Sequence, residues 1–399
     1  MTDLETRVTP PGSVTLRRAA PALLGYAAVR SLGLLALVLW SAARDKSAYT
    51  LLTARWDALW YTRVAELGYG YEVRLPNGDV HSNLAFFPLL PWLERLLHAV
   101  TPLSYADAGF VVSLLASLAA AWGVFAVADH VYGRRAGVCA VLVWAVLPVA
   151  IVQSMAYSES LFTALAAWSL YAVLTGRWVS AGVLASLSGL TRPVGLAVIA
   201  AVWAAAVASF VRDRRSAACD ASPPYGVRPS GTRDVVPRAV ALLLAPLGAA
   251  GYVLWVGHHT GKGPFGYLDV QAGWRNGFDG GYAFARFVAD KFTSFPSALA
   301  GVGLITGVAL LLWLYVVCVR QRQPLGLLVY TGVVLALALC ASSYFGSKPR
   351  LLLPAFPLLL PPALALARLR TPGAAAVVGC LAVASAVYGA WWLNGSGPP

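Results

Sequence analysis

The sequence predicts an all-α, polytopic transmembrane bundle. Hydrophobic residues make up 59% of the 399 and charged residues only 12%, against about 25% charged in an ordinary soluble chain. Apolar runs of roughly 20 residues, long enough to cross a hydrocarbon core as helices, recur along the whole chain. No long alternation of period two, the mark of a membrane barrel, competes with them.

Eleven segments have the composition of spans: residues 20–40, 105–128, 136–152, 161–174, 179–190, 194–210, 239–256, 299–319, 325–341, 351–366 and 374–393. Several are shorter than the usual ~20 residues. Arg17 and Arg18 precede the first run without a small-residue cleavage site followed by a soluble domain, so this run is expected to be an uncleaved helix. The net charge of +13 is read through the excess of Lys and Arg in cytoplasmic loops, and no nucleic-acid motif competes with that reading.

Short basic loops set the orientation: Arg7, Arg17 and Arg18; Arg134 and Arg135; Arg177; Arg212, Arg214, Arg215, Arg228, Arg233 and Arg238; Arg320 and Arg322; Arg368 and Arg370. All fall on one side if the N-terminus is cytoplasmic and the C-terminus extracytoplasmic. The condition is two crossings between Arg177 and Arg212, broken near Gly189–Pro193, where proline removes a donor and disfavours helix at Arg192. The expected organisation is an N-terminal membrane module (1–210) with an outer loop at 41–104, a basic cytoplasmic linker (211–238), and a C-terminal module (239–399) with an outer loop at 258–295.

The five cysteines (Cys139, Cys219, Cys318, Cys340, Cys380) are scattered singly, which indicates neither a disulfide framework nor a zinc site. His258 and His259 are adjacent, hence about 100° apart on a helix, and no Asp/His set at ligand spacing accompanies them, so no metal site is expected.

On this topology the unusual polar residues gather on the outer face: Asp57, Glu66, His81, Asn83, Glu159, Arg192, Gln271, Trp274, Lys348 and Arg350. Together they supply an acid, a base, an anion clamp and hydrogen bonders. A helix over 55–66 would put Asp57, Tyr61 and either Trp60 or Val64 on one face, at the membrane surface with its aromatics among the headgroups; a cap or solvated residue is the plainer reading of Asp57. Residues 83–91 are too short and proline-broken to span, and read as a re-entrant or interfacial piece beside a cavity. Lys348 and Arg350 stand at the outer start of the proline-rich run 351–366, where the helix dipole disfavours cations and an anion between them would reverse the penalty; snorkelling to lipid phosphate is the alternative. Arg192 and Glu159 lie at the edges of apolar runs, where a charge costs about 2.5–3.5 kcal/mol at mid-membrane, so each is expected to face a polar cavity or the other.

RWDALWY (55–61), AELGY (65–69), NLAFFPLLP (83–91), AYSESLF (156–162) and GLTRPVGL (189–196), in that order, resemble the PIG-V type mannosyltransferases, a branch of the GT-C membrane glycosyltransferases. The bacterial members also resemble this chain at Gln271 and Trp274 and near Lys348–Pro354. The resemblance implies inverting transfer of a sugar, typically mannose, from a polyprenyl-phosphate sugar to an acceptor at the extracytoplasmic face, with no cofactor or metal. It puts Asp57 at the reaction centre as base, in the catalytic first outer loop. Lys348, Arg350 and Arg192 then bind the donor phosphate, and Arg55, Trp56, Tyr61, His81, Asn83, Glu159, Gln271 and Trp274 line the substrate site, Arg55 setting the field at Asp57. The acceptor is a glycan, lipid or protein; membrane lipids surround the chain, and the setting is a cell envelope. A transporter or lipid-linked-sugar flippase accounts equally well for the helices and intramembrane charges, but alternating access usually puts a site near the midplane.

Overall fold

In an apolar chain backbone polar groups must be satisfied locally, which favours helices. The computed structural model describes residues 15–219 and 235–397; Arg7, Arg228 and Arg233 lie outside them. The first helix, α1 (Leu16–Ala42), is followed by two short ones, α2 (Ala48–Thr53) and α3 (Asp57–Leu67), and by the antiparallel strands β1 (Glu72–Arg74) and β2 (Val80–Ser82). A single 3-10 turn at Asn83–Ala85 leads into α4 (Leu89–Val100). Thus the piece over 83–91 is a turn running into an amphipathic helix that packs on α3 and on α5 (Tyr105–Tyr132).

Next come α6 (Arg134–Ala145), α7 (Ser158–Leu174) and α8 (Trp178–Gly189). The break expected at 189–193 is present: Arg192 is fully extended (φ −162°, ψ 156°) and Pro193 opens a new turn before α9 (Leu196–Cys219). The expected linker from residue 211 instead begins as helix, because α9 continues through Arg212, Arg214 and Arg215 to Cys219. The second half contains α10 (Val235–Leu244), α11 (Leu247–His259), α12 (Gly266–Gly273), β3 (Gly277–Phe278), α13 (Tyr282–Asp290), α14 (Ser297–Arg320), α15 (Leu325–Cys340), β4 (Ala341–Ser342), α16 (Lys348–Leu351), α17 (Leu360–Arg368) and α18 (Thr371–Leu393). β3 pairs with β4 and so ties the loop over 258–295 to the segment before α16.

All eleven candidate runs are largely helical. Among the described residues, six helices have the length and composition to cross a membrane, or seven with the bent pair Phe345–Leu351 and Phe356–Arg368; α7, α8 and α15 are shorter apolar helices. The figure of eleven spans therefore exceeds what helix length supports. The run 351–366 is not one helix: its two pieces meet at 72°, because Pro354 and Pro357 remove donors and crowd the preceding turn.

The main core is built from small residues. Ala120, Ala121, Ala126 and Ala128 of α5, Ala140 of α6, Ala166 and Ala167 of α7, and Ala181 and Ala185 of α8 are fully buried. Small side chains allow close helix approach, which matters where burial from water cannot drive association. Asn394 donates to Ser41 Oγ (3.0 Å) and Lys46 Nζ donates to the Asn394 carbonyl (2.7 Å), so α1 and α18 finish side by side. Running in the same direction, they put residues 15 and 397 at opposite ends of the bundle. Several basic residues share the other end: Arg18 pairs with Asp129 at the foot of α5, and Arg238 lies over Trp178.

Candidate active site

Asp57 is the first residue of α3, where a carboxylate is favoured by the helix dipole. The helix starts there, two residues after the expected 55, because Trp56 has a positive φ (53°, with ψ −126°) that no helix accommodates. A bulky residue in that region is strained, by of order 1–3 kcal/mol, and is held by its surroundings. Those are the apolar cluster around Leu51, Leu52 and Met155, and Arg55, whose guanidinium lies 4.1 Å from the Trp56 ring centroid.

The charged partner of Asp57 comes from nearly 300 residues away. Arg350 Nη1 donates to Asp57 Oδ2 at 2.6 Å and to Glu159 Oε1 at 3.1 Å. Arg192 Nη1 lies 2.5 Å from the same Glu159 oxygen. The Arg192–Glu159 contact is a close ion pair without hydrogen-bond alignment, since that nitrogen has no aligned acceptor among the described residues. The four charges cancel. Their exposure is graded: the side chains of Glu159, Arg350 and Arg192 are 2%, 10% and 13% exposed, whereas Asp57 is 24% exposed. The Tyr157 ring sits 5.1 Å from the Arg350 guanidinium carbon, and Tyr61 hydrogen-bonds through its hydroxyl to Ser158 Oγ (2.7 Å). Arg350 Nε–H is buried with no acceptor among the described residues.

Lys348 is only two residues from Arg350 but does not join it. Its ammonium donates to the carbonyls of Ala338 (2.7 Å) and Ala341 (2.8 Å), over the rings of Phe284 and Phe345. It ties down the end of α15. The expected two-cation clamp at the head of one helix is therefore absent: α16 is a four-residue turn, and alternate residues on it face different ways. Likewise Arg55 is engaged with Trp56, and the field at Asp57 is set by Arg350.

Around this centre the loops over 41–104 and 258–295 are stitched together. Asn83, fully buried, donates to the Gly68 carbonyl and accepts from the Gly70 amide, closing the turn after α3. Gln271 bonds Tyr267 and Asn276, and Trp274 donates to the Ser82 carbonyl (3.0 Å). His81 stacks on Trp274 with centroids 4.0 Å apart, and burial pushes its imidazole below the usual histidine range. Trp60, one turn along α3 from Asp57, stacks on Phe86 and meets Trp274 edge-on. Phe86 in turn meets Tyr61 edge-on, so an aromatic cluster reaches to the edge of the charge network. The sequence assigns no site role to Tyr157, Ser158 or Phe86, and names Trp60 only as one of two possible face-mates of Asp57. Tyr157 and Ser158 adjoin Glu159, and Phe86 lies in the 83–91 segment, which is the signal available for them.

A family model described as Mannosyltransferase (PIG-V) matches residues 36–214, a range that contains Asp57, Glu159 and Arg192 but stops before Arg350. No curated protein matches the chain. Among solved structures, ArnT from Cupriavidus metallidurans bound to undecaprenyl phosphate is similar at 14% identity with a TM-score of 0.53, over 91% of this chain and 64% of that one. AglB, the oligosaccharyltransferase of Archaeoglobus fulgidus, in complex with an inhibitory peptide and a dolichol-phosphate, is similar at 12% identity with a TM-score of 0.47, over 94% of this chain and 56% of that one. The chain thus spans less than two thirds of the length of either. At such identity the likeness is one of fold, and the chain has an all-α, multi-spanning membrane fold resembling that of the GT-C glycosyltransferases.

Proposed function

We propose that this chain is a membrane glycosyltransferase that moves a sugar, mannose, from a polyprenyl-phosphate donor to an acceptor hydroxyl at the extracytoplasmic face, with inversion. The observation that carries the reading is the graded site: one carboxylate at the accessible edge, with two arginines and a second carboxylate behind it. The family match supports the sugar, and the fold shared with a protein that binds undecaprenyl phosphate supports the lipid donor.

In this scheme Asp57 takes the proton of the acceptor hydroxyl as its oxygen attacks the anomeric carbon. The bond from that carbon to the phosphate oxygen breaks, and its electron pair leaves with the lipid phosphate. One displacement inverts the anomeric centre. General-base assistance contributes typically about 10²–10⁴-fold. Arg350 and Arg192 face the developing phosphate charge, and the buried Arg350 Nε–H supplies an uncommitted donor. Glu159 holds both guanidinium groups in place. Lys348 fixes the end of α15 next to them, and Tyr61, His81 and Trp274 flank the acceptor.

Purified full-length protein incubated with radiolabelled polyprenyl-phosphate mannose and a panel of glycan, lipid and protein acceptors should yield a labelled product. Asp57→Asn should lower transfer by about 10²-fold or more while donor binding stays near normal. A role confined to the helix dipole at the first position of α3 predicts near-full activity in that variant, since such a charge contributes only about 0.3–1 kcal/mol, and retained transfer would remove Asp57 as base. Movement of labelled donor across vesicles without any transfer would instead favour a flippase.

A further inference from the structure

A cavity lies where α1 and α18 finish, away from the Asp57 network. It has a volume of about 270 Å³ and is lined by Arg44, Tyr344, Trp391, Trp392, Gly395 and Gly397 among others. Arg44 follows the end of α1, and the two tryptophans stand at the end of α18, the neighbouring long apolar helix. This is the level at which headgroups meet the end of a span, and where indole and phenol side chains are enriched. Tyr344 and Trp391 are more than half exposed, at 55% and 54%.

The charge in the cavity is unbalanced. Arg44 has no ion pair or side-chain hydrogen bond among the described residues, whereas neighbouring Lys46 is engaged by the Asn394 carbonyl. Among the described residues no lining side chain is a carboxylate that would receive the ammonium of a zwitterionic headgroup. A guanidinium is well matched to phosphate oxygens, and the aromatic rings offer apolar walls to the glycerol or sugar that bears the phosphate.

We propose that this cavity binds the phosphate-bearing headgroup of an anionic membrane lipid, with Arg44 as the phosphate ligand and Tyr344, Trp391 and Trp392 as its walls. The site is separate from the proposed transfer chemistry and does not depend on it. A soluble phosphate ester offers the same anion, but the position at the ends of α1 and α18 favours a lipid source.

Native mass spectrometry of the full-length protein, exposed to equal amounts of phosphatidylglycerol and phosphatidylethanolamine, reads the preference directly. The expected result is selective retention of phosphatidylglycerol by the wild type. That preference should fall roughly tenfold in Arg44→Gln and survive in part in Arg44→Lys. A parallel competition uses free glycerol phosphate, which should not displace the lipid at equal concentration. Absence of preference in the wild type, an undiminished preference in Arg44→Gln, or equal competition by glycerol phosphate would each overturn the proposal.

Discussion

Replacing Glu159 by Gln keeps the shape and removes the one charge that joins the two arginines. Its side chain is 2% exposed, and one oxygen serves both Arg192 at 2.5 Å and Arg350 at 3.1 Å. Removing one partner of a buried ion pair costs about 3–5 kcal/mol, because the other charge stays desolvated. Here Arg350 keeps Asp57 at 2.6 Å, so only Arg192 is orphaned, and at 13% exposure it recovers some hydration. The expected cost is therefore at the low end, about 3 kcal/mol. Reversible unfolding in mixed dodecyl sulfate micelles measures it. In the double variant Glu159→Gln/Arg192→Met both charges go, and the loss should fall short of the sum of the two single losses by about 1 kcal/mol or more. A Glu159→Gln protein within about 0.5 kcal/mol of the wild type, or additive behaviour in the cycle, would refute the view that this network is held by charge.

Arg350→Ala should abolish most donor use, and Arg350→Lys should restore it only in part, since an ammonium cannot present a planar fork to two carboxylates and a phosphate; steady-state kinetics over donor concentration decide this. Glu94 of α4 is fully buried and neither carboxylate oxygen has a partner among the described residues, so burial pushes its carboxyl well above the usual glutamate range. A raised folded-state value means the stability it allows is present at acid pH and lost as pH rises above the unfolded glutamate range. Glu94→Gln should thus match the wild type at low pH and exceed it at neutral pH, as unfolding across a pH series would show. A Cβ added at Gly109 would stand 2.5 Å from Glu94 Oε1, so Gly109→Ala should destabilise by about 1–3 kcal/mol, with the loss reduced when Glu94 is also Ala. Reporters fused after Arg215 and after Asn394 should report cytoplasmic and external positions respectively, as the basic loops predict; the same location for both would overturn that topology.

Composition and hydropathy determined the class of this protein. A chain with so few charges has nowhere to put its apolar surface except against lipid or itself, and both require helices. The break at Arg192–Pro193 was equally legible, because proline acts on its immediate neighbour and needs no tertiary context. Asp57, Glu159, Arg192 and Arg350 stood out individually, since a charge flanked by apolar residues is costly wherever the chain goes. Their pairing was not legible. Arg350 meets Asp57 across 293 positions, and nothing local distinguishes it from Lys348, which turns instead to the carbonyls of Ala338 and Ala341. That choice depends on the bend between α16 and α17 and on which way a four-residue turn faces. Asn83 and Gln271 show the same limit, because an amide poised for a substrate and an amide closing a loop are one residue type until the backbone around them is placed. Span count divides likewise: hydropathy marks the apolar segments, but only the packed bundle shows which are long helices and which are short or bent pieces sheltered by their neighbours.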